Sequence, residues 1–137
     1  MITVVTGATG HIGANLVRSL IKEKRPVRAL VHRDRRAIEG LDIEVAQGDV
    51  TDPYSLYRAF VGADIVYHLA ASISISMSGW SNVEKINVTG TRNVVDACLK
   101  SGVRRLIHFS SIHAILQEPL NTPLDERRPL VDSPDCP

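Results

Sequence analysis

Short apolar runs alternate along this chain with longer segments in which apolar residues recur every three or four positions. The short runs predict β-strands, and the longer segments predict amphipathic helices with one buried face. The predicted strands are residues 2–5, 27–31, 43–46, 64–70 and 105–109. The predicted helices are residues 11–24, 53–61 and 81–100.

The alternation of strand and helix predicts a parallel sheet, because a helix between two strands carries the chain back to the same edge. The first run, Ile2 to Val5, is too apolar for a strand with one exposed face. It therefore suits a central position that helices cover on both sides. We expect an α/β fold of the Rossmann type, with a doubly wound parallel sheet in the order 3-2-1-4-5 and helices on both faces.

Some boundaries and faces follow from single residues. The sequence Thr51-Asp52-Pro53 predicts a helix start, because Thr51 or Asp52 can accept orphan amide hydrogens and proline suits the first helical position. Ile12 is expected to share the buried face of the first helix. Val95 and Leu99 are available for packing on the helix at 81–100.

Two stretches have less definite patterns. Residues 72–79 alternate serine with apolar side chains, which could form a strand; we favour a loop that contacts a cofactor. Residues 117–137 combine prolines and charges without periodicity. We expect a nucleotide-binding domain over 1–115 and an irregular segment over 116–137.

Three glycines, Gly7, Gly10 and Gly13, separate the first strand from the first helix. The first permits a sharp turn, the second lets the backbone approach a pyrophosphate, and the third lets the helix pack on the strand. Amide hydrogens at the helix start add partial positive charge that faces the phosphates. A glycine triplet can also be a simple tight turn, but its place between strand and helix predicts a dinucleotide site.

Composition narrows the function classes. The 137 residues are 44% apolar with a net charge of +1, so they have no general attraction to nucleic acid or a membrane surface. No apolar run reaches the roughly 18 residues that a membrane span needs. Neither the two cysteines, Cys98 and Cys136, nor the five histidines have metal-ligand spacing, and Cys98 fits a small buried position. We expect a cytoplasmic protein without a metal site.

Five motifs occur in a fixed order. They are TGATGHIG at 6–13, GDVTD at 48–52, HLAA at 68–71, NVTGT at 87–91 and VRRLIHFSS at 103–111. Together they resemble the extended short-chain dehydrogenase/reductase family, also called the NAD-dependent epimerase/dehydratase family, and its dihydroflavonol-4-reductase-like branch. The first motif has the family's Gly-x-x-Gly-x-x-Gly spacing rather than Gly-x-Gly-x-x-Gly.

The resemblance implies a set of cofactor contacts. Asp49 would accept a hydrogen bond from the adenine amino group, and small residues after the fourth strand would leave room for the cofactor's ribose. The implied cofactor-binding residues are Gly7, Thr9, Gly10, His11, Ile12, Gly13, Asp49, Val50, Leu69, Ala70 and Ala71.

The end of the second strand bears on the choice of cofactor. An acidic residue there would bind the ribose 2'-hydroxyl of NAD, whereas arginine suits the extra phosphate of NADP. His32 and Arg33 follow the strand and Arg36 lies close behind, so we expect Arg33 and Arg36 to bind NADP. A solvated basic loop is the alternative, and Asp34 leaves NAD possible.

The resemblance also implies catalytic residues. The Ser111 hydroxyl would hydrogen-bond a substrate carbonyl or hydroxyl, and Asn87 would order a proton-relay water through local backbone distortion. His113 could contact the substrate or be an exposed loop residue. His68 and His108 lie in predicted strands and are expected to be core or near-core groups.

The family's acid–base pair, Tyr-x-x-x-Lys, follows the serine, whereas the tyrosines here (Tyr54, Tyr57 and Tyr67) all precede Ser111. We therefore expect the chain to be the cofactor-binding portion of a longer enzyme, inactive alone and lacking the catalytic and substrate-binding part. The expected function is NADP-dependent reduction of a ketone or aldehyde. The alternatives are a nucleotide-sugar epimerase or dehydratase with bound NAD, and a non-catalytic NADP-sensing module. The resemblance further implies a homodimer through the helices around 53–61 and 83–99.

Overall fold

The computed structural model describes residues 1–73 and 80–131. Within these ranges five parallel strands form one sheet in the order β3-β2-β1-β4-β5, which confirms the predicted topology. The strands are β1 (Ile2–Thr6), β2 (Val27–Val31), β3 (Glu44–Gln47), β4 (Ala63–His68) and β5 (Arg105–His108). The α-helices are α1 (His11–Lys22), α2 (Pro53–Phe60), α3 (Trp80–Glu84) and α4 (Gly90–Lys100), with short 3₁₀ turns at Arg36–Ile38 and Ile112–Ala114.

Helices cover both faces of the sheet, as predicted. Successive side chains of β1 point to opposite faces, and Val4 and Val5 are both fully buried. Val4 belongs to one apolar core with Phe60 of α2 and Val94 of α4. Val5 belongs to a second core with Val17 of α1. The central strand is therefore apolar along its length because each face packs against a different helix layer.

The helix start predicted at Pro53 is confirmed. Proline is the first residue of α2, and the Asp52 carboxylate accepts a hydrogen bond of 3.0 Å from the amide of Tyr54. This cap satisfies one of the amide hydrogens that the helix itself leaves without a partner.

Three side chains predicted to pack inward are exposed instead. Ile12, in the first turn of α1, is 59% exposed because it lies beside the glycine turn rather than over the sheet. Val95 and Leu99 are also exposed, whereas Val94 and Cys98 form the buried stripe of α4. A single stripe of a surface helix faces the core, and the neighbouring apolar positions fall outside it.

The helix predicted over 81–100 is interrupted. A π-helical turn, Lys85–Thr89, separates α3 from α4. The structure assigns no regular secondary structure to residues 72 and 73, and the rest of the predicted 72–79 loop lies outside the described residues. A π-turn adds a residue to the helical ladder and is often found at functional sites.

The described residues after position 115 form a loop closed by an antiparallel bridge between Ile115 and Leu130. The guanidinium of Arg128 fills this loop and donates hydrogen bonds of 2.7 Å to the carbonyl oxygens of Pro119 and Thr122. The described part of this segment contains no α-helix or named strand, but it is internally bonded. The proposed domain boundary stays a prediction.

No helix in residues 1–73 or 80–131 combines the length and the apolar character needed to cross a membrane. Cys98 is buried in the core beneath α4, as predicted, and burial raises the pKa of its thiol to about 11. Cys136 lies outside the described residues.

Candidate functional site

The glycine turn is built without space for side chains at two of its three positions. Gly7 has a φ of +67°, and a Cβ there would lie 2.6 Å from the backbone of Leu69 and Ala70. A Cβ on Gly13 would lie 2.0 Å from the carbonyl oxygen of Gly7. A Cβ on Gly10 would meet only that oxygen, at 3.3 Å. Gly7 and Gly13 are therefore needed by the fold, while Gly10 leaves open space above the turn.

This open space lies at the start of α1. In the described part of the chain, no side chain caps this helix, because the residue before it is Gly10. The amide hydrogens of the first turn are therefore available to an anion, and the helix dipole favours negative charge there.

Two cavities of about 640 and 600 Å³ meet at the glycine turn. They share Gly7, Gly10, Leu69, Ala70 and Ala71. The first also contains the predicted residues Thr9, Arg33, Asp49 and Val50, and the second contains His11, Ile12, Gly13, Asn87 and Ser111. Apart from Arg36, every residue predicted from the sequence to bind cofactor or act in catalysis lines this continuous groove.

Arg36 turns back onto its own loop. Its Nε donates to the Asp34 carboxylate at 3.0 and 2.9 Å, and these bonds lower the pKa of Asp34 to about 2. Arg36 and Asp34 therefore form an ion pair with each other. Arg33, in contrast, lines the first cavity. The structure thus brings one of the two predicted arginines to the groove, and the role of Arg36 stays a prediction.

Asp49 is fixed on both carboxylate oxygens. Oδ1 accepts hydrogen bonds from the Thr51 amide at 2.8 Å and the Thr51 hydroxyl at 3.0 Å, and Oδ2 lies 3.2 Å from His32 Nε2. Partial burial raises the pKa of this carboxyl, but the Thr51 hydrogen bonds, followed by the charges of His32 and Lys85, outweigh burial and lower it. Asp49 is therefore an oriented anion at neutral pH.

In the second cavity, Asn87 lies within the π-helical turn. Its Oδ1 accepts from the Ser72 amide at 2.8 Å, and its Nδ2 donates to the Ser72 carbonyl at 2.9 Å. The side chain thus joins the π-helical turn to the segment after β4. The predicted backbone distortion at Asn87 is present as the π-turn.

Ser111 lies after β5, on the wall of the same cavity. Its hydroxyl oxygen lies 3.2 Å from His113 Nδ1 and accepts a hydrogen bond of 3.3 Å from the His113 amide. Ser111 is exposed, so its hydroxyl is accessible to a ligand in the groove. His113 itself does not line the cavity.

His68, at the end of β4, is a buried core group as predicted, whereas His108 of β5, which was expected to be a core or near-core group, is exposed. Its Nδ1 lies 2.7 Å from the Thr6 hydroxyl, and its Nε2 lies 3.0 Å from the Thr91 hydroxyl. Burial, assisted by His108, lowers the pKa of His68 to about 4, so the ring is neutral at neutral pH. In the part of the chain that the structure describes, no three metal-ligand side chains converge.

Several groove residues were not singled out from the sequence. His32, Lys85 and Thr91 line the cavities, and Thr51 orients Asp49. Thr91 belongs to the motif that begins at Asn87, so this motif was the available signal for it. Lys85 carried no such signal, because lysines at helix surfaces are usually solvated.

The chain matches the model of the 3-beta hydroxysteroid dehydrogenase/isomerase family over residues 4–129. It is 44% identical over 117 residues to sterol demethylase protein B of Methylococcus capsulatus, covering 84% of this chain and 36% of that protein. It is 37% identical over 113 residues to a Synechocystis protein provisionally named dihydroflavonol 4-reductase, covering 81% of this chain and 33% of that protein.

A solved relative adds a structural match. A short-chain dehydrogenase/reductase superfamily protein from Agrobacterium tumefaciens, with bound NAD, superposes with a TM-score of 0.80 and 31% identity over 96% of this chain and 39% of that one. The chain thus spans about a third of the length of the curated relatives it matches. It belongs to the 3-beta hydroxysteroid dehydrogenase/isomerase family, among the extended short-chain dehydrogenases/reductases.

Proposed function

We propose that the full-length protein is an NADP-dependent oxidoreductase that reduces a ketone or aldehyde by hydride transfer. The observation that carries the proposal is the continuous groove across the glycine turn, which has Arg33 at one end and Ser111 at the other. A dinucleotide needs such a groove, with an anion-binding helix start near its middle.

The residues of the first cavity fit the adenosine half of NADP. Gly10 and the uncapped start of α1 would hold the pyrophosphate, and Asp49 would accept from the adenine amino group. Arg33 would bind the 2'-phosphate. The nearby Asp34 carboxylate is occupied by Arg36, so it competes less for a ribose 2'-hydroxyl.

The second cavity would hold the reacting end. When bound, a reduced nicotinamide cofactor supplies the hydride. The Ser111 hydroxyl would donate a hydrogen bond to the substrate carbonyl oxygen and so hold it in place for reduction. Asn87 would keep the segment after β4 against the groove through its two bonds to Ser72.

Apolar residues in the walls of this cavity support the proposal of an uncharged substrate. They include Ile12, Ile73 and Phe109, and its described lining has no carboxylate, lysine or arginine. An apolar wall favours an apolar carbonyl compound. We expect turnover of neutral ketones or aldehydes to exceed that of charged ones.

Titration of NADPH and NADH into the full-length protein tests the cofactor. We expect tighter NADPH binding, and we expect Arg33→Ala to raise the Kd of NADPH about five- to tenfold, because a charge-assisted bond is lost. The Kd of NADH should stay the same. Arg35→Ala is the matched control, since Arg35 lies in the same loop but does not line the cavity.

Equal affinities, or tighter NADH, would contradict the assignment of Arg33. Protein that purifies with tightly held NAD would favour an epimerase or dehydratase instead. Binding of NADPH without turnover of any carbonyl compound would favour a sensing module.

We further propose a homodimer through α2 and α4. These helices pack against each other and leave Tyr54, Tyr57 and Leu99 exposed. Tyr54 and Tyr57 line the groove between the two helices, and a surface with exposed aromatic side chains is suited to an interface.

A further inference from the structure

A chain of buried and partly buried hydrogen bonds runs beneath the groove. The amide of Ala70 donates to the Thr6 hydroxyl at 3.3 Å, and that hydroxyl lies 2.7 Å from Nδ1 of His68. On the other side of the ring, Nε2 lies 3.0 Å from the Thr91 hydroxyl. Three elements that border the groove, β1, β4 and α4, therefore meet at one imidazole.

The hydrogen-bonding capacity of these groups sets the direction of the chain. The Thr6 oxygen accepts from Ala70, so its single proton is free to be donated to Nδ1 of His68. A neutral imidazole that accepts at Nδ1 carries its proton on Nε2 and donates it to Thr91. In the opposite tautomer the buried Thr6 proton would have no partner among the described residues.

Above these hydrogen bonds, the glycine turn packs directly against the segment after β4. Thr6 directly precedes Gly7, and a Cβ on Gly7 would lie only 2.6 Å from the Ala70 nitrogen. The spacing between the glycine turn and the segment after β4 is therefore set by backbone contact. The bonds of Thr6 to Ala70 and His68 hold that spacing from below.

We infer that His68 is a positioning residue with two separable roles, exerted through its two ring nitrogens. Through Nδ1 and Thr6 it holds the glycine turn and the segment after β4 at the spacing that binds the dinucleotide. Through Nε2 and Thr91 it holds the first turn of α4, directly after the π-turn that contains Asn87. This inference rests on the proposed function, because the first role is read out in cofactor binding and the second in turnover.

Four single variants of the full-length protein separate the two roles. Thr6→Val and His68→Gln remove the Nδ1 bond, since the glutamine amide reaches only toward the Nε2 position. Thr91→Val and His68→Asn remove the Nε2 bond, since the asparagine amide stays near the Nδ1 position. Thr6→Val, Thr91→Val and His68→Gln keep the approximate volume of the side chain they replace, whereas His68→Asn is smaller.

We expect the first pair to raise the Kd of both NADPH and NADH by about three- to tenfold, the range that loss of one buried hydrogen bond produces. The second pair should lower kcat by a similar factor and leave both Kd values near the wild-type values. The double variant Thr6→Val with His68→Gln should have Kd values no higher than those of Thr6→Val alone. Thr6→Val already removes the bond that His68→Gln removes, together with the bond from the Ala70 amide.

Thr3→Val is the matched control. Thr3 is also a buried threonine of β1, but its hydroxyl has no hydrogen-bond partner among the described residues. Its replacement should leave Kd and kcat unchanged. A variant series in which all four changes lower the Tm equally and leave Kd and kcat unchanged would overturn the inference and leave His68 as a core residue.

The tautomer supplies a test that does not depend on cofactor. Nitrogen-15 NMR of the histidine rings should show His68 as the neutral Nε2–H form. An Nδ1–H ring or an imidazolium at neutral pH would overturn the inference, even if NADPH binds. A wild-type protein that shows the Nε2–H form but binds neither NADPH nor NADH would instead contradict the proposed function.

Discussion

At the scale of single residues, the three glycines of the turn have the same spacing but different surroundings. We predict that Gly13→Ala lowers the free energy of unfolding by about 1–3 kcal/mol or more, because its Cβ would meet the Gly7 oxygen at 2.0 Å. Gly10→Ala should fold normally, since Gly10 has a φ of −74° that alanine readily adopts. It should nevertheless weaken NADPH binding at least about tenfold, because the methyl group would occupy the approach of the pyrophosphate.

Chemical denaturation and NADPH titration of both variants of the full-length protein check this prediction. Denaturation should show a loss of stability in Gly13→Ala but not in Gly10→Ala. Titration should show weaker NADPH binding in Gly10→Ala. Wild-type affinity in Gly10→Ala would mean that no phosphate lies against this residue.

The residue scale also shows what a sequence pattern leaves undecided. Arg33 and Arg36 follow β2 in the same basic loop, and both suit a phosphate. Only the fold of the loop reveals that Arg36 pairs with Asp34 while Arg33 lines the cavity. Charges two residues apart can face a ligand or each other, and local sequence does not distinguish the two.

At the scale of elements, the strands were predictable because their apolar content reports burial on both faces of a parallel sheet. The interruption of the helix after residue 84 was not predictable from periodicity. The side chain of Asn87, which lies in the π-turn, bonds to Ser72, fifteen positions earlier in the chain. Periodicity reports which face of a helix is buried and carries no information about such a distant bond.

Arg28 of β2 joins two elements at the far end of α2. Its Nη1 donates to the carbonyl oxygens of Ala59 at 2.7 Å and Val61 at 2.8 Å, where the helix ends. Its Nε makes an ionic contact of 2.8 Å with Glu44, without the alignment of a hydrogen bond. A cation that satisfies the last carbonyl groups of a helix also complements the helix dipole.

We predict that Arg28→Met lowers the free energy of unfolding by about 1–3 kcal/mol, because two carbonyl groups lose a charged donor and the apolar stem is retained. Glu44→Gln, which keeps the carbonyl bonds, should change it by less than about 1 kcal/mol, since the Glu44 side chain is mostly exposed. Urea denaturation of the full-length protein measures both. Equal stability of Arg28→Met and wild type would show that water replaces the guanidinium at these carbonyl groups.

At the scale of the whole molecule, the strand order explains why residues far apart in sequence share one groove. The carboxyl ends of β1, β2, β4 and β5 lie at the same edge of the parallel sheet, and each leads into a lining segment. Ligands of such sheets bind at this edge, at the point beside β1 where the strand order reverses. The location of the groove was therefore predictable from the order of motifs, whereas its cofactor preference depends on side-chain pairing at the end of β2.

The outer surface of α2 and α4 is the surface that we propose to bind a second copy of the chain. A shallow groove of about 470 Å³ between the two helices is lined in part by Tyr54, Tyr57 and Lys100. In a two-fold dimer each substitution occurs twice, so a single introduced carboxylate places two negative charges in the interface. Burying unpaired charges is costly, and the dimer should therefore dissociate.

We predict that the full-length protein sediments as a dimer and that Tyr57→Glu raises its dissociation constant at least about tenfold, because the new charge would be buried without a partner. Val45→Glu is the matched control, since Val45 on the edge strand β3 is 42% exposed and Tyr57 is 44% exposed. Sedimentation velocity over a range of protein concentrations measures both variants. A wild-type monomer would contradict the dimer, whereas a Tyr57→Glu variant that stays dimeric would place the interface on another surface.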